Sequence, residues 1–548
     1  TCDTSLLAAL NRLPTERHHT LLLQPSGSEN VMSAAFLRWL FLEAIPALQF
    51  PVFRVELQNV TINGLLDLSR ATLALVPCFR NCRFTSGLEL TEARIGSFEV
   101  IGGSAAFVHA NRMNADGALL LRAPLKNPAD GGDQVPTGRL LIRADVRLSG
   151  ARLRGNVDLR GCWVGRAASP GRHSVALRGD GLEVGGTLLL SSGFRATGQV
   201  SLNGARITRN LNCSGAVLWN PGGYSLSAAG AHIAGSLYTR GATARDGTPV
   251  RFLSHGAFRL EGASIVGDWK ADSARFVAPA TRRRNWTLTT GKLLELRAIM
   301  ANGLTVNASA TFNAACTIQG TAEFINAKIG GDLNFNGAIF DLPGEEVLYA
   351  DGITISGTLF LEEARVNGLL RFVLATISQD FFVNKTIFDL SGRFRDLLGD
   401  LNVSAEELGL DVCGIYAPTS RVGGSFYWRR IKKCSRPDDR DVYRRLLLSV
   451  LDADAERVED DRESWELLDQ IDVRNCRYQS IANLTGETMW RAELLDLAYA
   501  PINQFPYDRA TRRTAMQKKL VAFRRSLLVL LQGRHRRPNG LLDYAILT

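Results

Sequence analysis

The feature that most constrains this chain is an apolar pattern that recurs from about residue 55 to about residue 430. The unit reads Ala-x-Ile-x-Gly-x-Leu-x-Leu, as in GARITRNLNC (204–213) and NAKIGGDLNF (326–335). This alternation places Ile207, Leu211 and Cys213 on one face of a strand and their polar neighbours on the other. Because residue identities recur as well as polarity, the pattern favours a solenoid over an antiparallel sandwich.

The spacing of small residues gives the length of one coil. Ala151 is followed eleven positions later by Cys162, and Ala205 by Ala216. Two such units make a coil of about 22 residues, within the range of solenoid repeats. One coil cannot bury its own apolar face, so stacked coils must share a core. The sequence therefore predicts a mainly β fold, a right-handed β-helix or pentapeptide-like β-solenoid over 51–430.

Both ends of the repeat change character. Residues 32–48 place apolar side chains at helical spacing and predict an N-terminal helical cap within 1–50. After Arg430 the spacing again becomes helical, and we expect a C-terminal helical, basic region over 431–548. Its predicted helices cover 442–451, 465–468, 489–497 and 515–531.

Four insertions break the period, at 122–137, 165–173, 241–256 and 276–300. Insertions in a solenoid are expected to project as loops and often carry binding. Two clusters combine arginine with aromatic residues, one inside an insertion and one at the junction with the C-terminal region, although loop solubility explains them equally well. The candidate binding surface comprises Arg282, Arg283, Arg284 and Trp286 together with Tyr427, Trp428, Arg429 and Arg430.

Positive charge is concentrated near the C-terminus. Residues 507–537 hold ten Lys or Arg against Asp508 alone, which is nearly all of the formal net charge of +10. A solvated helix face is one interpretation, and contact with an anionic membrane or nucleic acid is the other. The candidate contacts are Arg512, Arg513, Lys518, Lys519, Arg524, Arg525, Arg534, Arg536 and Arg537.

Motifs that carry chemistry are missing from the sequence. There is no GxGxxG before a helix, no HExxH, no GxSxG and no CxxC, and the seven histidines lack ligand spacing. We therefore expect no catalytic residue, no cofactor and no metal. Few acids are expected to face outward, and we interpret Asp158, Asp268 and Asp332 as structural residues. The odd, scattered cysteines suggest a reducing compartment, with Cys162 and Cys213 facing inward.

The segments GARITRNLNCSGAVLWNPGGYSLSAAGAHIAGSLYTRG (204–240), EFINAKIGGDLNFNGAIF (323–340) and VMSAAFLRWLFLEA (31–44) resemble a bacterial family with pentapeptide-like repeats. Its members often carry the label "membrane-associated oxidoreductase". The resemblance covers roughly residues 30–430 and is fainter in the C-terminal region, where QFPYDRA (504–510) matches only in part. It implies a cytosolic solenoid followed by helices and then a membrane segment, which we expect beyond Thr548. The basic stretch fits the positive-inside rule.

Three functional hypotheses remain open. The first is a non-catalytic scaffold that binds a protein partner at the cytosolic face of the inner membrane. The second is an enzyme, either the redox protein suggested by the family label or a carbohydrate-active β-helix. The third is nucleic-acid binding through the basic C-terminal helices.

Overall fold

A computed structural model of the chain describes residues 20–23, 30–46, 53–126, 135–165, 174–243, 249–279, 296–390, 412–434, 445–450, 452–468, 470–472 and 477–483. Parallel strands dominate these residues. Strands one coil apart pair directly: Thr72 lies opposite Arg94, and Arg94 lies opposite Asn114. Each coil therefore adds one strand to each of four walls, which we number first to fourth in the order the chain visits them.

The strands of the first wall begin near the N-terminus: Thr20–Leu23, Arg54–Gln58, Leu119–Arg122, Val157–Asp158, Leu188–Leu189, Leu211–Asn212, Leu237–Tyr238, Trp269–Lys270, Ala310–Thr311, Leu333–Asn334, Leu359–Phe360 and Phe381–Phe382. Two strands turn the corner and serve the first and second walls: Val76–Phe84 and Phe98–Ala105. The second wall also contains Val31–Ser33, Thr61–Asn63, Leu140–Ile142, Cys162–Val164, Arg195–Thr197, Arg275–Val277, Thr317–Gln319, Ile387–Asp389 and Lys432–Cys434.

Four long strands run from the second wall into the third: Val217–Ser227, Leu253–Arg259, Ile339–Tyr349 and Arg365–Arg371. The rest of the third wall is Leu66–Asp67, Leu88–Glu89, Val108–His109, Val146–Arg147, Val175–Arg178, Gln199–Ser201, Arg297–Met300, Thr321–Glu323, Val412–Tyr416, Arg445–Ser449 and Gln470–Asp472.

The fourth wall is built from two-residue strands: Thr72–Leu73, Arg94–Ile95, Asn114–Ala115, Arg152–Leu153, Glu183–Val184, Arg206–Ile207, His232–Ile233, Ser264–Ile265, Thr305–Val306, Lys328–Ile329, Thr354–Ile355 and Thr376–Ile377. The last coils join the fourth and first walls in Arg421–Trp428, Asp454–Asp460 and Arg477–Asn483. Two antiparallel hairpins stand apart from the walls: Leu125–Lys126 with Val135–Pro136, and Ala242–Thr243 with Pro249–Val250.

The interior is the apolar column that the alternation predicts. Ile207, Leu211 and Cys213 are fully or almost fully buried, and so is Cys162. Aromatic rings pack against one another within it, and the Trp269 and Phe312 rings meet edge to face with their centroids 4.9 Å apart. Such burial is the main contribution to stability, at about 25 cal/mol for each Å² of apolar surface removed from water. The mainly β, parallel arrangement is compatible with the predicted β-solenoid.

Close stacking at the corner between the fourth and first walls depends on glycine. A Cβ atom at Gly155 would lie 2.6 Å from the backbone carbonyl carbon of Gly117, one coil away. The same corner carries side-chain acceptors that bond backbone N–H groups of the next coil. Asp332 Oδ1, for example, accepts from the Thr358 N–H at 2.8 Å.

The predicted N-terminal helix is present as an α-helix, Ala34–Trp39, that continues as a π-helix, Leu40–Ala44. Ser33 caps it by accepting from the Phe36 N–H at 3.1 Å. Leu37 and Leu40 are fully buried, so the helix covers the core of the first coils. The predicted cap region, 1–50, also contains strands, because Thr20–Leu23 and Val31–Ser33 already pair with the next coil.

The predicted helix over 442–451 was also wrong. Arg445–Ser449 is a strand that pairs in parallel with Val412–Tyr416, and paired strands continue to Asn483. A short helix, Arg462–Glu466, overlaps the helix predicted at 465–468. The helices predicted at 489–497 and 515–531 lie outside the described residues.

Candidate functional site

Insertions occur on one side of the coil stack. Residues 127–134 and 244–248 fall within the two hairpins, each of which links the first wall to the second. Residues 166–173, 280–295, 391–411 and 435–444 link the second wall to the third. All six border the second wall. Insertions that collect on one face of a solenoid commonly mark its binding face.

Sequence reasoning placed four of these interruptions and missed two, 391–411 and 435–444. Two predicted insertions were too wide. The insertion predicted at 241–256 includes the start of the paired strand Leu253–Arg259, and the one predicted at 276–300 includes residues of the paired strands Arg275–Val277 and Arg297–Met300. The strands on both sides of each missed insertion are clear only in the structure, where Ile387–Asp389 and Val412–Tyr416 occupy neighbouring walls.

Trp163 is an outward-facing side chain of the second wall. It lies between inward Cys162 and Val164, so its indole points outward and is partly exposed. The guanidinium carbons of Arg139 and Arg195 lie 4.4 Å and 4.6 Å from its ring centroid. We call these three residues the Arg–Trp–Arg stack. Neither arginine is bonded to a carboxylate within the part of the chain that the structure describes.

Trp219 lies on the same wall, two coils after Trp163. It is 39% exposed, and its ring meets the imidazole of His255 edge to face at 4.4 Å. Burial and, secondarily, the nearby Arg275 guanidinium lower the pKa of His255 below its ordinary value. His255 is therefore largely uncharged at neutral pH, and the Trp219–His255 pair presents an apolar surface next to the Arg–Trp–Arg stack.

A shallow groove of about 920 Å³ lies on the opposite side of the coil, on the fourth wall. Most of its charges are paired with one another, whereas Arg94, which also lines the groove, has no carboxylate partner among the described residues. Glu183 lies 3.3 Å from Arg152 and 3.7 Å from Arg206, and Arg154 lies 3.2 Å from Asp116. These exposed pairs hold neighbouring coils in register and contribute little each. The groove offers an anion fewer free donors than the Arg–Trp–Arg stack does.

The cluster predicted at the C-terminal junction divides between surface and core. Tyr427 faces outward and stacks on Phe382 at 4.1 Å, while Arg429 pairs with Glu459 and lies over the Tyr427 ring. The exposed Arg430 has a positive φ of 53°, and its N–H donates to Asp461 Oδ2 at 2.5 Å.

Trp428 is fully buried, which excludes it from the predicted surface. Its indole N–H donates to the Ser464 carbonyl at 3.2 Å, and its ring packs near that of Trp465. The alternation along Arg421–Trp428 explains this, because Phe426 and Trp428 both point inward. Residues Arg282, Arg283, Arg284 and Trp286 lie outside the described residues, in the insertion 280–295.

The three acids interpreted as structural form ion pairs or hydrogen bonds with neighbouring residues of the coils. Asp158 was expected outward but is only 2% exposed, because Arg122 and Arg160 cover it. Asp268 Oδ1 accepts from the Ser309 N–H at 3.2 Å, in the same corner ladder as Asp332.

Cys162, Cys213 and Cys316 are buried free thiols, and burial raises the pKa of each; for Cys213 the pKa reaches about 12. Cys434, on the second wall, is exposed. Among the described side chains, no group of three His, Cys, Asp or Glu is arranged to hold a metal ion. No described helix has the length and apolar character needed to cross a membrane. The predicted anionic-surface contacts from Arg512 to Arg537 lie beyond the last described residue.

The second-wall tryptophans were missed from sequence, although a signal was present. The alternation in GCWVG predicts an outward Trp163 between two inward residues. Its contact with Arg139 depends on the register across the insertion 127–134, which the sequence pattern does not reveal. No match to the chain was found among protein-family models, curated proteins or solved structures.

Proposed function

We propose that this protein is a non-catalytic interaction scaffold that binds a protein partner through its second wall. The observation that carries the proposal is the position of the insertions, all six of which border that wall. Exposed tryptophan and unpaired arginine on the same wall support it, because Trp and Arg are enriched among the residues that dominate binding energy.

The proposal extends to the location of the scaffold at the cytosolic face of a bacterial membrane. The family resemblance and the basic residues of 507–537 support this location. We also propose that the coils wind in the right-handed sense of a pentapeptide-like β-solenoid. The strong preference of parallel crossover connections for right-handed winding supports that sense.

Partner binding is tested by crosslinking and capture from native membranes with the full-length protein. Trp163→Ala combined with Trp219→Ala should reduce recovery of a specific crosslinked protein at least about tenfold, because truncating an anchoring aromatic residue removes 2 kcal/mol or more of binding energy. Arg152→Gln combined with Arg206→Gln on the fourth wall is the matched control and should leave recovery unchanged. Equal recovery with both double variants would contradict the proposal.

The membrane location is tested by fractionating cells that express residues 1–548 alone, so that any binding depends on the basic residues and not on a later membrane segment. The membrane-bound fraction should fall when the nine candidate basic contacts are changed to glutamine, since polybasic attraction to anionic lipid contributes about 1 kcal/mol for each charge. Retention of the neutralised variant on membranes at high salt would show that these residues do not contribute. This outcome would leave the partner-binding test unaffected.

A further inference from the structure

The Arg–Trp–Arg stack holds two positive charges on one aromatic ring. Trp163 pairs directly with Arg195 of the next coil and with Leu141 of the coil before, and Arg139 lies two residues before Leu141. The guanidinium carbons of Arg139 and Arg195 lie 4.4 Å and 4.6 Å from the centroid of the same ring, so they are at most about 9 Å apart.

The stack leaves the arginine donors free. A guanidinium that stacks on an aromatic face still presents its N–H edge, which matches a carboxylate with two parallel hydrogen bonds. Two other arginines that lie over aromatic rings are already engaged: Arg371 pairs with Asp351 at 2.9 Å, and Arg429 pairs with Glu459. The described carboxylates leave Arg139 and Arg195 without such a partner.

We propose that the Arg–Trp–Arg stack binds an acidic partner segment in the polyproline II conformation, with carboxylates on residues i and i+3. That helix has three residues per turn and a rise of about 3.1 Å per residue. Residues i and i+3 therefore point the same way and lie about 9 Å apart. This spacing is close to the largest separation that the two ring contacts allow between the guanidinium groups. The residues between them pack on the indole of Trp163. This inference rests on the proposed function and specifies the chemistry of its partner.

The second wall fits a protein segment better than a nucleic acid. Nucleic-acid sites depend on many phosphate contacts along a basic stripe. Exposed arginines do occur elsewhere on or beside this wall, at Arg83, Arg143 and Arg251, but they do not form a continuous stripe. Leu141 and Val217, which are half-buried and aliphatic, are stacked next to Trp163 and Arg195. Two stacked guanidinium groups within this partly apolar surface suit a short acidic segment.

The test uses the full chain and three fluorescent proline-rich peptides in anisotropy titrations. The first carries two glutamates separated by two prolines, the second two glutamates separated by one proline, and the third replaces both glutamates of the first by glutamine. The first peptide should bind tightest. Arg139→Gln or Arg195→Gln should weaken its binding about tenfold, the value of one charge-assisted contact. Arg94→Gln, an exposed arginine of the fourth wall, should leave binding unchanged.

Several results would overturn the inference: no binding of the first peptide, equal binding of the glutamine peptide, or no effect of either arginine substitution. Tighter binding of a 20-nucleotide thymidine oligomer, lost with the same substitutions, would assign the stack to nucleic acid instead. Unfolding midpoints equal to wild type show that each variant is folded. If the peptides fail while membrane capture still depends on Trp163 and Trp219, the inference falls and the proposed function stands.

Discussion

The second and fourth walls belong to the same coils but differ in how much variation they accept. From the third wall to the fourth, the chain takes the same five-residue step at His109–Asn114, Arg259–Ser264 and Arg371–Thr376. From the second wall to the third, the connection ranges from a tight corner to the insertion 391–411. One side of the coil therefore keeps the register, and the other is free to diversify.

The physical origin of this difference is local. Backbone packs on backbone at the glycine corner beside the fourth wall, and the groove arginines there are bonded to neighbouring acids. An inserted residue would break several contacts at once. A loop at either corner of the second wall leaves the strands before and after it in register, as the pairing of Phe276 with Ile318 on either side of 280–295 shows. The comparison thus distinguishes two groups of residues. Those beside the fourth wall keep neighbouring coils in register, and those on the second wall are available for binding.

The largest expected effect is at the glycine corner. Gly155→Ala places a Cβ 2.6 Å from the Gly117 backbone and should lower the free energy of unfolding by about 2–3 kcal/mol through overpacking. Gly96→Ala is the control, because no atom lies within 4 Å of its added Cβ. Denaturant unfolding of both variants measures the difference. Equal stability of the two variants would show that close backbone packing at this corner does not hold the coils in register.

A smaller effect is expected in the corner ladder. Asp332→Ala leaves the Thr358 N–H without its acceptor and should cost about 1–2 kcal/mol. Asp332→Asn retains an acceptor oxygen and should recover most of that loss. Thermal unfolding at neutral pH distinguishes a hydrogen-bonding role from a charge role. A similar loss in both variants would assign Asp332 to electrostatics.

On the second wall, His255 should make stability depend on pH. Its pKa is depressed in the folded state, so its contribution is present above the unfolded pKa of about 6.5 and is lost as pH falls through the folded pKa. The thermal unfolding midpoint should decrease when the pH is lowered from 7.5 to 5.5. His255→Asn should make this decrease smaller. His232→Asn, an exposed histidine of the fourth wall, is the control and should leave the decrease unchanged.

The smallest expected effect on stability is that of replacing the exposed Cys434, which should nevertheless change thiol reactivity clearly. In a protein carrying Cys2→Ser and Cys476→Ser, Cys434 should react first with a thiol reagent, because it is the exposed cysteine of the described set. Cys434→Ser should abolish the fast phase without changing stability. Cys213→Ser should leave the fast phase intact, because its thiol is buried and its pKa is raised to about 12.

Much of the coil stack was predictable because its alternation is regular. Ile207 and Leu211 are inward in the sequence pattern and in the structure. The C-terminal strands were misassigned because RLLLS (445–449) is a short apolar run, which periodicity alone does not separate from a helix. The candidate site was harder to predict. Alternation points Trp163 outward, but its contact with Arg139 arises only when two neighbouring coils stack in register.

The regular rise of the coils also determines where loops appear. Each coil adds about 4.8 Å along the axis, so insertions can emerge only at whole multiples of that distance. The insertion 127–134 leaves the coil that contains Leu119–Arg122, and 435–444 follows the coil that contains Arg421–Trp428. Ten coils separate them, a distance of roughly 48 Å. The number of coils therefore sets the distance between insertions. A single partner that contacted both of these insertions would need to span that distance.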